Sequence, residues 1–384
     1  MMIHFPFLQP ALLIPTRLVP DGEFELKTSV HLNAALDWMV VAHRRSGDGG
    51  VSKGYDLLRR RWAPSYPETT GYSVPTLLNA SVMLQRDDLS ALALRLSDFL
   101  VHRSTREGGV GHWKTPDRPV VFDSGQMIFG MLAAYRFSNE ENYLQAALHA
   151  ADWIVSVQDS SGAWLEFQHL AIPKVIDTRV AWPLVELFRI TGRHSYLRAA
   201  TRNLDWALQQ EDQDGWFQKC AFTPHEDPHT HTLAYAIEGL LQCGQRLDMP
   251  RYVEGARRAA DALLGLQCPD GRLASTFARG WRPTSRSSCL TGNCQMGLIW
   301  MRLYETTCDT SYLRAAERTI RFVARTQYLN QSQAAHHGAI GGSYPITGRY
   351  ERLKYPNWAA KFFADALMRL AESTSKKLET RYPG

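Results

Sequence analysis

A helical hairpin motif recurs four times along this chain and constrains its fold more than any other feature. Each copy opens on a tyrosine, with a second landmark ten residues later, in the pairs Tyr143 and Trp153, Tyr196 and Trp206, Tyr252 and Ala262, and Tyr312 and Phe322. In the first three copies a glycine follows nine residues after that landmark, and successive copies start 53, 56 and 60 residues apart. Ten residues make close to three helical turns. A repeat of this period indicates one supersecondary unit that has been copied and stacked.

Two kinds of helix alternate along the repeat. One kind has an apolar stripe and a charged face, which is typical of an amphipathic helix. Its predicted members are 28–45, 86–103, 139–158, 194–211, 249–267 and 310–327. The other kind is apolar all round after a polar start, as buried helices are. Its predicted members are 69–84, 123–137, 177–191, 229–243, 289–305 and 355–370. Six of each predict an all-α fold, a single-domain (α/α)6 barrel or toroid of six hairpins with the buried helices as its inner wall.

The connections differ in length according to their direction. Those from a buried helix to the next amphipathic helix are short, whereas the opposite ones are long, at 46–68, 104–122, 159–176, 212–228, 268–288 and 328–354. In a closed ring the long connections lie together on one face, beside the polar starts of the inner helices. That face is where a binding or catalytic site is expected. The predicted domain boundaries are an N-terminal extension at 1–27, the toroid at 28–370 and a C-terminal tail at 371–384.

Composition narrows the function. The formal net charge of +5 is mild and the basic residues form no long runs, which argues against a nucleic-acid partner. No uninterrupted apolar stretch of about 18 residues occurs, so no membrane span is predicted. The apolar N-terminus is broken by Pro6, Pro10 and Pro15 and lacks the basic start of a secretory signal. The six cysteines include no CxxC pair. Reduced thiols and a cytoplasmic location are therefore predicted.

Several stretches resemble known toroid enzymes. The turn VQDSSGAW at 157–164 and, more loosely, QQEDQDGWF at 209–217 resemble the glutamine-to-tryptophan repeat of terpenoid cyclases and prenyltransferases, whose hairpin ending also occurs in toroid-type pectic-acid lyases. The stretch at 291–316 is similar to part of the helical domain of glucuronyl C5-epimerases. Over about 28–370 the pattern resembles the six-hairpin carbohydrate-active superfamily, which includes these epimerases, unsaturated-glucuronyl hydrolases and N-acylglucosamine 2-epimerases. The resemblance implies an enzyme that acts on sugars.

Polar residues at the starts of the buried helices are predicted to face one mouth. A helix start offers free N–H groups and the positive end of the helix dipole, which favour anions. A buried Arg179 requires an acidic partner, either in the protein or in a bound acid. Asp123 and Asp177 are also good N-caps, so capping alone would account for them. The candidate catalytic residues are His231, His229, Tyr72, Tyr355, Arg179, Asp123 and Asp177.

Cationic and aromatic residues in the inner wall and the long connections suit an acidic glycan. Aromatic rings stack on pyranose rings, and guanidinium groups pair with carboxylates. The alternative for each rim residue is a solvated surface without function. The candidate substrate-binding residues are Gln126, Asn293, Gln295, Trp113, Trp281, Arg282, Arg286, Trp358 and Lys361. No metal site and no cofactor is predicted, although the loop acids Glu226 and Asp227 leave a calcium ion open.

These residues give one leading hypothesis and three alternatives. The leading hypothesis is an enzyme that removes the C5 proton of a uronate-containing polysaccharide, as an epimerase or a β-elimination lyase. Arg179 and Arg282 would neutralise the substrate carboxylate and stabilise the enolate. The base and acid would come from His231, His229, Tyr72 and Tyr355. A glycoside hydrolase is the second hypothesis, with its paired carboxylates drawn from Asp123, Asp177, Glu166 and Glu226.

The other two alternatives are a toroid that binds a glycan or a protein without turnover, and a terpenoid-cyclase-like toroid. The Asp-x-Asp-Asp acid motif of acid-initiated terpenoid cyclases does not occur in the sequence, which argues against the last of these. The sugar, its linkage and the oligomeric state stay open at this stage.

Overall fold

The structure is a computed structural model that describes residues 24–330, 332 and 335–381, with side chains as far as residue 373. These residues form twelve α-helices: α1 Thr28–Ser46, α2 Pro67–Leu84, α3 Asp87–Arg103, α4 Val121–Ser138, α5 Glu141–Ser156, α6 Thr178–Thr191, α7 His194–Gln209, α8 Thr230–Leu247, α9 Pro250–Gly265, α10 Leu290–Thr307, α11 Thr310–Ala324 and α12 Asn357–Arg381. Each predicted helix is present. The largest difference is in α12, which continues through most of the predicted C-terminal tail. Residues 1–23 of the predicted N-terminal extension lie outside the described part of the chain.

The even-numbered helices form a closed inner ring. Each contacts the next around the ring, and α12 contacts α2. Five of them pair with the odd-numbered helix that follows in the chain, and the sixth pair joins α12 to α1. The inner helices are buried on most sides, whereas the outer helices keep one exposed face. This arrangement confirms the predicted (α/α)6 toroid.

The repeated tyrosines join neighbouring outer helices. Each lies near the start of an outer helix and donates a hydrogen bond to an aspartate of the preceding outer helix. The pairs are Tyr143 with Asp98 at 2.8 Å, Tyr196 with Asp152 at 2.7 Å, Tyr252 with Asp205 at 2.7 Å, and Tyr312 with Asp261. The same bond recurs because successive hairpins meet with the same geometry. This contact accounts for the tyrosine period in the sequence.

The repeated glycines permit close approach of the turn to the next outer helix. Gly162 and Gly271 have φ values of +95° and +91°, a region that favours glycine. A Cβ atom would lie 2.4 Å from the carbonyl oxygen of Arg202 at Gly162, and 2.2 Å from that of Arg318 at Gly271. A side chain at either position would therefore force the two hairpins apart.

Short strands lie in the long connections, on the face where the inner helices begin. They are β1 Gly54–Asp56, β2 Arg61–Trp62, β3 Gly111–His112, β4 Thr115–Pro119, β5 Phe277–Ala278, β6 Arg282–Pro283, β7 Ser288–Cys289, β8 Ser343–Tyr344 and β9 Lys354–Pro356. Tyr55 of β1 pairs with Trp62 on one side and with Tyr355 of β9 on the other. The first and last long connections are thereby joined. Strands this short carry too little alternation to be predicted from the sequence.

Two further features bear on the predictions from composition. Among the described residues, no helix combines the length and the apolar character needed to cross a membrane. All six cysteines are free of disulfide bonds. The cytoplasmic location stays a prediction.

Candidate active site

The long connections and the inner-helix starts enclose a cavity of about 460 Å³ on one face of the toroid, which we call the mouth cavity. Its lining includes Lys53, Glu68, His169, His231, Tyr350 and Trp358. These residues come from three different inner helices and three different connections. The predicted convergence of helix starts and long connections at one mouth is therefore present in the structure.

Asp123 lies in the first turn of α4 and is fully buried beside the mouth cavity. Its Oδ1 atom accepts hydrogen bonds from His169 Nε2 at 2.9 Å and from the Tyr66 hydroxyl at 3.3 Å. Its Oδ2 atom has no partner among the described residues. The N-cap of α4 is Val120, so Asp123 does not cap this helix. Capping therefore does not account for this aspartate.

Asp177 occupies the N-cap position of α6 but makes no capping hydrogen bond. Its Oδ2 atom accepts from Gln168 Nε2 at 2.8 Å, and its Oδ1 atom has no partner among the described residues. Burial raises the pKa of this carboxyl group to about 8, although the charges of Lys174 and His169 oppose the rise. Asp177 is therefore protonated at neutral pH and can donate a proton.

Glu68 is a third carboxyl group at the same place, in the first turn of α2. Burial and the charge of Asp123 raise its pKa to about 7, while His169, Tyr66 and Lys53 lower it. Burial alone would lower the pKa of His169, but the charge and hydrogen bond of Asp123 hold it above the ordinary histidine value. The His169 ring thus lies among the three acids.

The two histidines predicted at the start of α8 both line the mouth cavity. His231 donates from Nδ1 to the Oε1 atom of Gln295 at 2.7 Å, and its ring lies 4.4 Å from that of Tyr235. Burial lowers the pKa of His231 to about 3 and also lowers the pKa of His229. Both rings are therefore neutral at neutral pH, and His231 is a very weak base.

An aromatic wall closes one side of the mouth cavity. The rings of Phe222 and Tyr350 are stacked with an interplanar angle of 12° and a centroid separation of 6.4 Å. The Trp358 Nε1 atom donates to the Tyr350 hydroxyl at 2.9 Å. Arg349 also lines the cavity, is exposed at its rim and makes no ion pair with a described residue. Flat rings beside a free guanidinium group suit an acidic sugar.

Several candidate residues lie elsewhere. Arg179 is 3% exposed and pairs with Glu238, and its Nε atom donates to Gln126 at 3.0 Å. The acidic partner that the sequence required is therefore supplied by the protein. Tyr72 lies beneath the mouth, against Phe362, with a ring separation of 5.8 Å.

Tyr355 and Trp113 line a neighbouring groove of about 550 Å³. This groove shares Lys53 and Trp358 with the mouth cavity. Tyr355 and Trp113 therefore lie near the predicted site without lining the same cavity as His231.

The remaining substrate-binding candidates make structural contacts or face solvent. Asn293 accepts from the Leu273 backbone N–H at 3.1 Å, and Lys361 pairs with Asp365 at 2.7 Å. Trp281 is buried and donates to the carbonyl oxygen of Asp214 at 2.9 Å. The two exposed candidates outside every described cavity are Arg282 and Arg286.

The structure also brings forward residues that the sequence did not select. Glu68, His169 and Tyr350 were recognisable as polar or aromatic residues of helix starts and long connections, but nothing in the sequence ranks them above their neighbours. Lys53 and Tyr66 carried no signal at all, because the paths of the long connections bring them to the site. No cluster of three or more metal-ligating side chains occurs in the described part of the chain.

Comparison with known proteins gives one partial family match and a set of similar folds. Residues 77–263, a little under half of the chain, match the family model described as Beta-L-arabinofuranosidase, GH127 catalytic domain. This segment contains both Asp123 and Asp177. A search of curated protein sequences found no match.

Similar solved structures include several unsaturated glucuronyl hydrolases. The enzyme from Bacillus sp. GL1 has 17% identity and a TM-score of 0.73, with 90% of this chain and 97% of that chain covered. One described as specific for heparin has 16% identity and a TM-score of 0.72, with coverage of 90% and 98%. The Streptococcus agalactiae enzyme has 14% identity and a TM-score of 0.69, with 96% of both chains covered. The chain has the (α/α)6 toroid fold of these hydrolases. The predicted resemblance to the six-hairpin superfamily is thereby confirmed for the fold.

Proposed function

We propose that this protein is a glycoside hydrolase that cleaves the bond beside a uronate-type sugar in an acidic oligosaccharide. The observation that carries the proposal is the buried pair Asp123 and Asp177. Each has one carboxyl oxygen without a partner among the described residues, and the two lie in different electrostatic surroundings. Two carboxyl groups in different surroundings, one suited to act as the acid and one as the base, are what acid-assisted glycoside hydrolysis requires.

In this proposal Asp177 is the general acid. Its proton passes to the bridging oxygen of the glycosidic bond, or to the ring double bond if the sugar is an unsaturated uronate. Asp123 accepts hydrogen bonds from His169 and Tyr66 on one carboxyl oxygen. It would accept a proton from the attacking water. Glu68, with a pKa raised to about 7, is a further proton acceptor beside the same histidine.

Arg349 would bind the substrate carboxylate, because it lines the mouth cavity and makes no ion pair with a described acid. The wall formed by Phe222, Tyr350 and Trp358 would stack on the sugar rings. The fold neighbours support this assignment, since one of them is described as an aspartate-to-asparagine variant complexed with dGlcA-GalNAc6S, an acidic disaccharide.

The hydrolase agrees better with the site than C5 proton abstraction, which the sequence favoured. Abstraction needs a base, and a histidine whose pKa lies near 3 is a poor one. The cations that the sequence assigns to the enolate are Arg179, which is paired with Glu238, and Arg282, which lies outside every described cavity. These two observations make the epimerase or lyase the second choice.

The test is an assay of purified protein on three groups of oligosaccharides. One group carries an unsaturated uronate, the second a saturated uronate and the third an arabinofuranosyl residue, which the family match makes a relevant alternative. New reducing ends from a uronate substrate are expected. A rise in the ultraviolet absorbance of unsaturated uronate would instead indicate a lyase, and exchange of the C5 hydrogen without new reducing ends would indicate an epimerase. Cleavage of the arabinofuranoside alone would overturn the proposed substrate class.

The mutational test uses Asp177→Asn and Asp123→Asn. Loss of a general acid or base lowers kcat by roughly 10²–10⁴-fold. The matched control is Asp248→Asn, at the exposed C-cap of α8 with φ +53°, a conformation that asparagine adopts readily. The proposal fails if both active-site variants retain the wild-type kcat.

A further inference from the structure

A second cavity of about 320 Å³ lies at the opposite end of the ring, where the inner helices end, and we call it the rear cavity. All six inner helices contribute to its wall. Four buried side chains, Tyr72, Arg179, Tyr235 and Phe362, are in mutual contact between the two linings, with Tyr72 and Arg179 in the wall of the rear cavity and Tyr235 in that of the mouth cavity. Within this layer of four side chains the Arg179 guanidinium lies 5.0 Å from the Tyr235 ring centre and 5.5 Å from that of Phe362.

The wall of the rear cavity is rich in charge, and most of that charge is paired. Glu186 pairs with Arg136 at 2.6 Å and also with Arg246. Two more pairs, Lys361 with Asp365 and Arg179 with Glu238, complete the inner part of the wall. Glu186 thus serves two arginines at once.

Arg369 is paired as well. It contacts Glu372 at 3.2 Å and forms a second ion pair with Glu305. Glu305 and Glu372, the acids in this part of the wall, therefore already form ion pairs with Arg369.

Arg302, on α10, differs from these paired residues of the rear cavity. Its side chain lines the rear cavity but forms no ion pair or hydrogen bond with any described side chain up to residue 373. Burial and the charges of Arg369 and Arg246 lower its pKa, while Glu305 and Glu238 raise it. A guanidinium group stays charged at neutral pH. Burial and two neighbouring arginines disfavour this cation, whereas Glu305, Glu238 and the negative ends of the inner helices favour it. A bound anion would add to the favourable interactions.

We propose that the rear cavity is a binding site for a tetrahedral oxyanion of the sulfate or phosphate class, with Arg302 as its principal ligand and Arg246 and Arg369 beside it. A sulfate or phosphate offers several acceptor oxygens to neighbouring guanidinium groups, which form strong charge-assisted hydrogen bonds with them. The cavity is larger than an inorganic anion, so a sulfated or phosphorylated sugar also fits the same chemistry. The site is independent of the glycosidase reaction proposed for the mouth cavity.

Calorimetric titration of the full chain with inorganic sulfate, inorganic phosphate and a monosaccharide sulfate tests this site. Sodium chloride at matched ionic strength corrects for screening. The Arg302→Gln variant is expected to bind at least about tenfold more weakly, since a hydrogen bond to a charged group contributes about 1.5–3 kcal/mol. Arg314→Gln, at an exposed position on α11, is the matched control and should bind as the wild type does.

A thermal scan supplies a second readout. A ligand that binds only the folded state raises Tm with its concentration. Sulfate should raise the Tm of wild type and of Arg314→Gln by more than that of Arg302→Gln, in which only the general stabilising effect of sulfate remains. Arg302→Gln should itself fold normally, because it removes a cation that repels two neighbouring arginines. Preference for the monosaccharide sulfate would identify a sugar as the source of the anion, and equal binding would identify the free ion.

Three outcomes would overturn the proposal. The first is that none of the three anions binds the wild type. The second is that Arg302→Gln binds as well as the wild type. The third is that binding is lost in Arg349→Gln and retained in Arg302→Gln, which would place the anion in the mouth cavity. Because the readout is binding and not turnover, none of these outcomes depends on whether the protein hydrolyses a glycan.

Discussion

The Nε2 atom of His169 donates a hydrogen bond to the Oδ1 atom of Asp123 at 2.9 Å, across 46 residues of sequence. The histidine belongs to the long connection before α6, and the aspartate belongs to the first turn of α4. This bond fixes one oxygen of the carboxyl group, and the other oxygen has no partner in the part of the chain that the structure describes. It also places a positive charge near Asp177 and Glu68, and it lowers the pKa of both.

We predict that His169→Asn separates these two effects. Loss of the imidazolium should raise the pKa of Asp177, so the alkaline limb of the kcat profile should move to higher pH. Loss of the positioning bond to Asp123 should also lower kcat, by roughly 10–100-fold, in the range expected when a supporting hydrogen bond of a functional group is removed. Full pH profiles of wild type and variant measure both effects. A lower kcat with an unmoved alkaline limb would assign His169 a purely structural role.

The wild-type pH profile is itself predicted. Asp177 must be protonated to act as an acid, and its pKa is raised to about 8 by burial. Hydrolysis should therefore persist through neutral pH and decline as the pH rises through about 8. The check is kcat measured from pH 5 to 10 in buffers of constant ionic strength. A decline centred near pH 4, the ordinary range of a carboxyl group, would exclude Asp177 as the acid.

Asp177→Asn should increase stability while it removes activity. Between the ordinary pKa of an aspartate and about 8, the folded protein keeps a proton that the unfolded chain has released. The folded state therefore binds more protons than the unfolded state, and this group makes the free energy of unfolding fall as the pH rises through that window. The Asp177→Asn variant has no carboxyl group at this position, so it loses this contribution to the pH dependence of the free energy of unfolding. Urea unfolding at pH 5 and pH 8 should give a smaller difference for Asp177→Asn than for wild type.

Asp248→Asn is the control for that measurement and should keep the wild-type pH dependence, because its carboxyl group is exposed. Glu68 contributes to the same window with its pKa near 7, so some pH dependence will remain in Asp177→Asn. An unchanged difference between the two pH values would mean that Asp177 is not protonated in the folded protein.

Arg179→Met should destabilise the protein. It leaves Glu238 as a buried carboxylate without its partner, and breaking one side of a buried ion pair costs about 3–5 kcal/mol. The double variant Arg179→Met with Glu238→Met should recover much of this loss, because both charges are then removed. Denaturant unfolding of the two single variants and the double variant gives the coupling energy. A stable single variant whose KM for acidic substrate is raised would instead restore Arg179 as a substrate ligand.

Arg349→Gln should raise KM for a uronate substrate by about tenfold or more and should leave kcat nearly unchanged. The expected size is that of one lost charge-assisted hydrogen bond to a carboxylate. Arg352→Gln is the matched control, because Arg352 is exposed on the same connection but does not line the mouth cavity. Equal KM values for all three proteins would remove Arg349 from the binding site.

The fold could be predicted because its determinants are local and repeated. The tyrosine that donates to the preceding outer helix and the glycine that approaches the next one recur at fixed spacing, so their period is visible in the sequence. The inner helices are recognisable because they are apolar on every side. The helix bounds consequently agree with prediction to within four residues, except at the end of α12, whose last turns are polar enough to be taken for a tail.

The site residues were only partly predictable, because their place in the site depends on how deep each side chain lies along the axis of the barrel. Asp123 and Arg179 both lie in the first turns of inner helices, yet the aspartate borders the mouth and the arginine lies in the layer below it. Helix periodicity gives the side of a helix but not how far each side chain reaches along the axis. His169 and Tyr66 could not be predicted, since the course of a long connection is set by its packing against several hairpins.

The aromatic layer around Arg179 has a consequence for how a polymer is processed. Because Tyr72, Tyr235 and Phe362 block the axis of the barrel, the mouth is a dead end and a glycan strand cannot thread through it. Under the proposed function, only a chain terminus would reach Asp177, and the released sugar would leave by the route through which the next strand arrives. The proposed hydrolase would then trim polymers one end at a time, and its turnover would be sensitive to accumulated product.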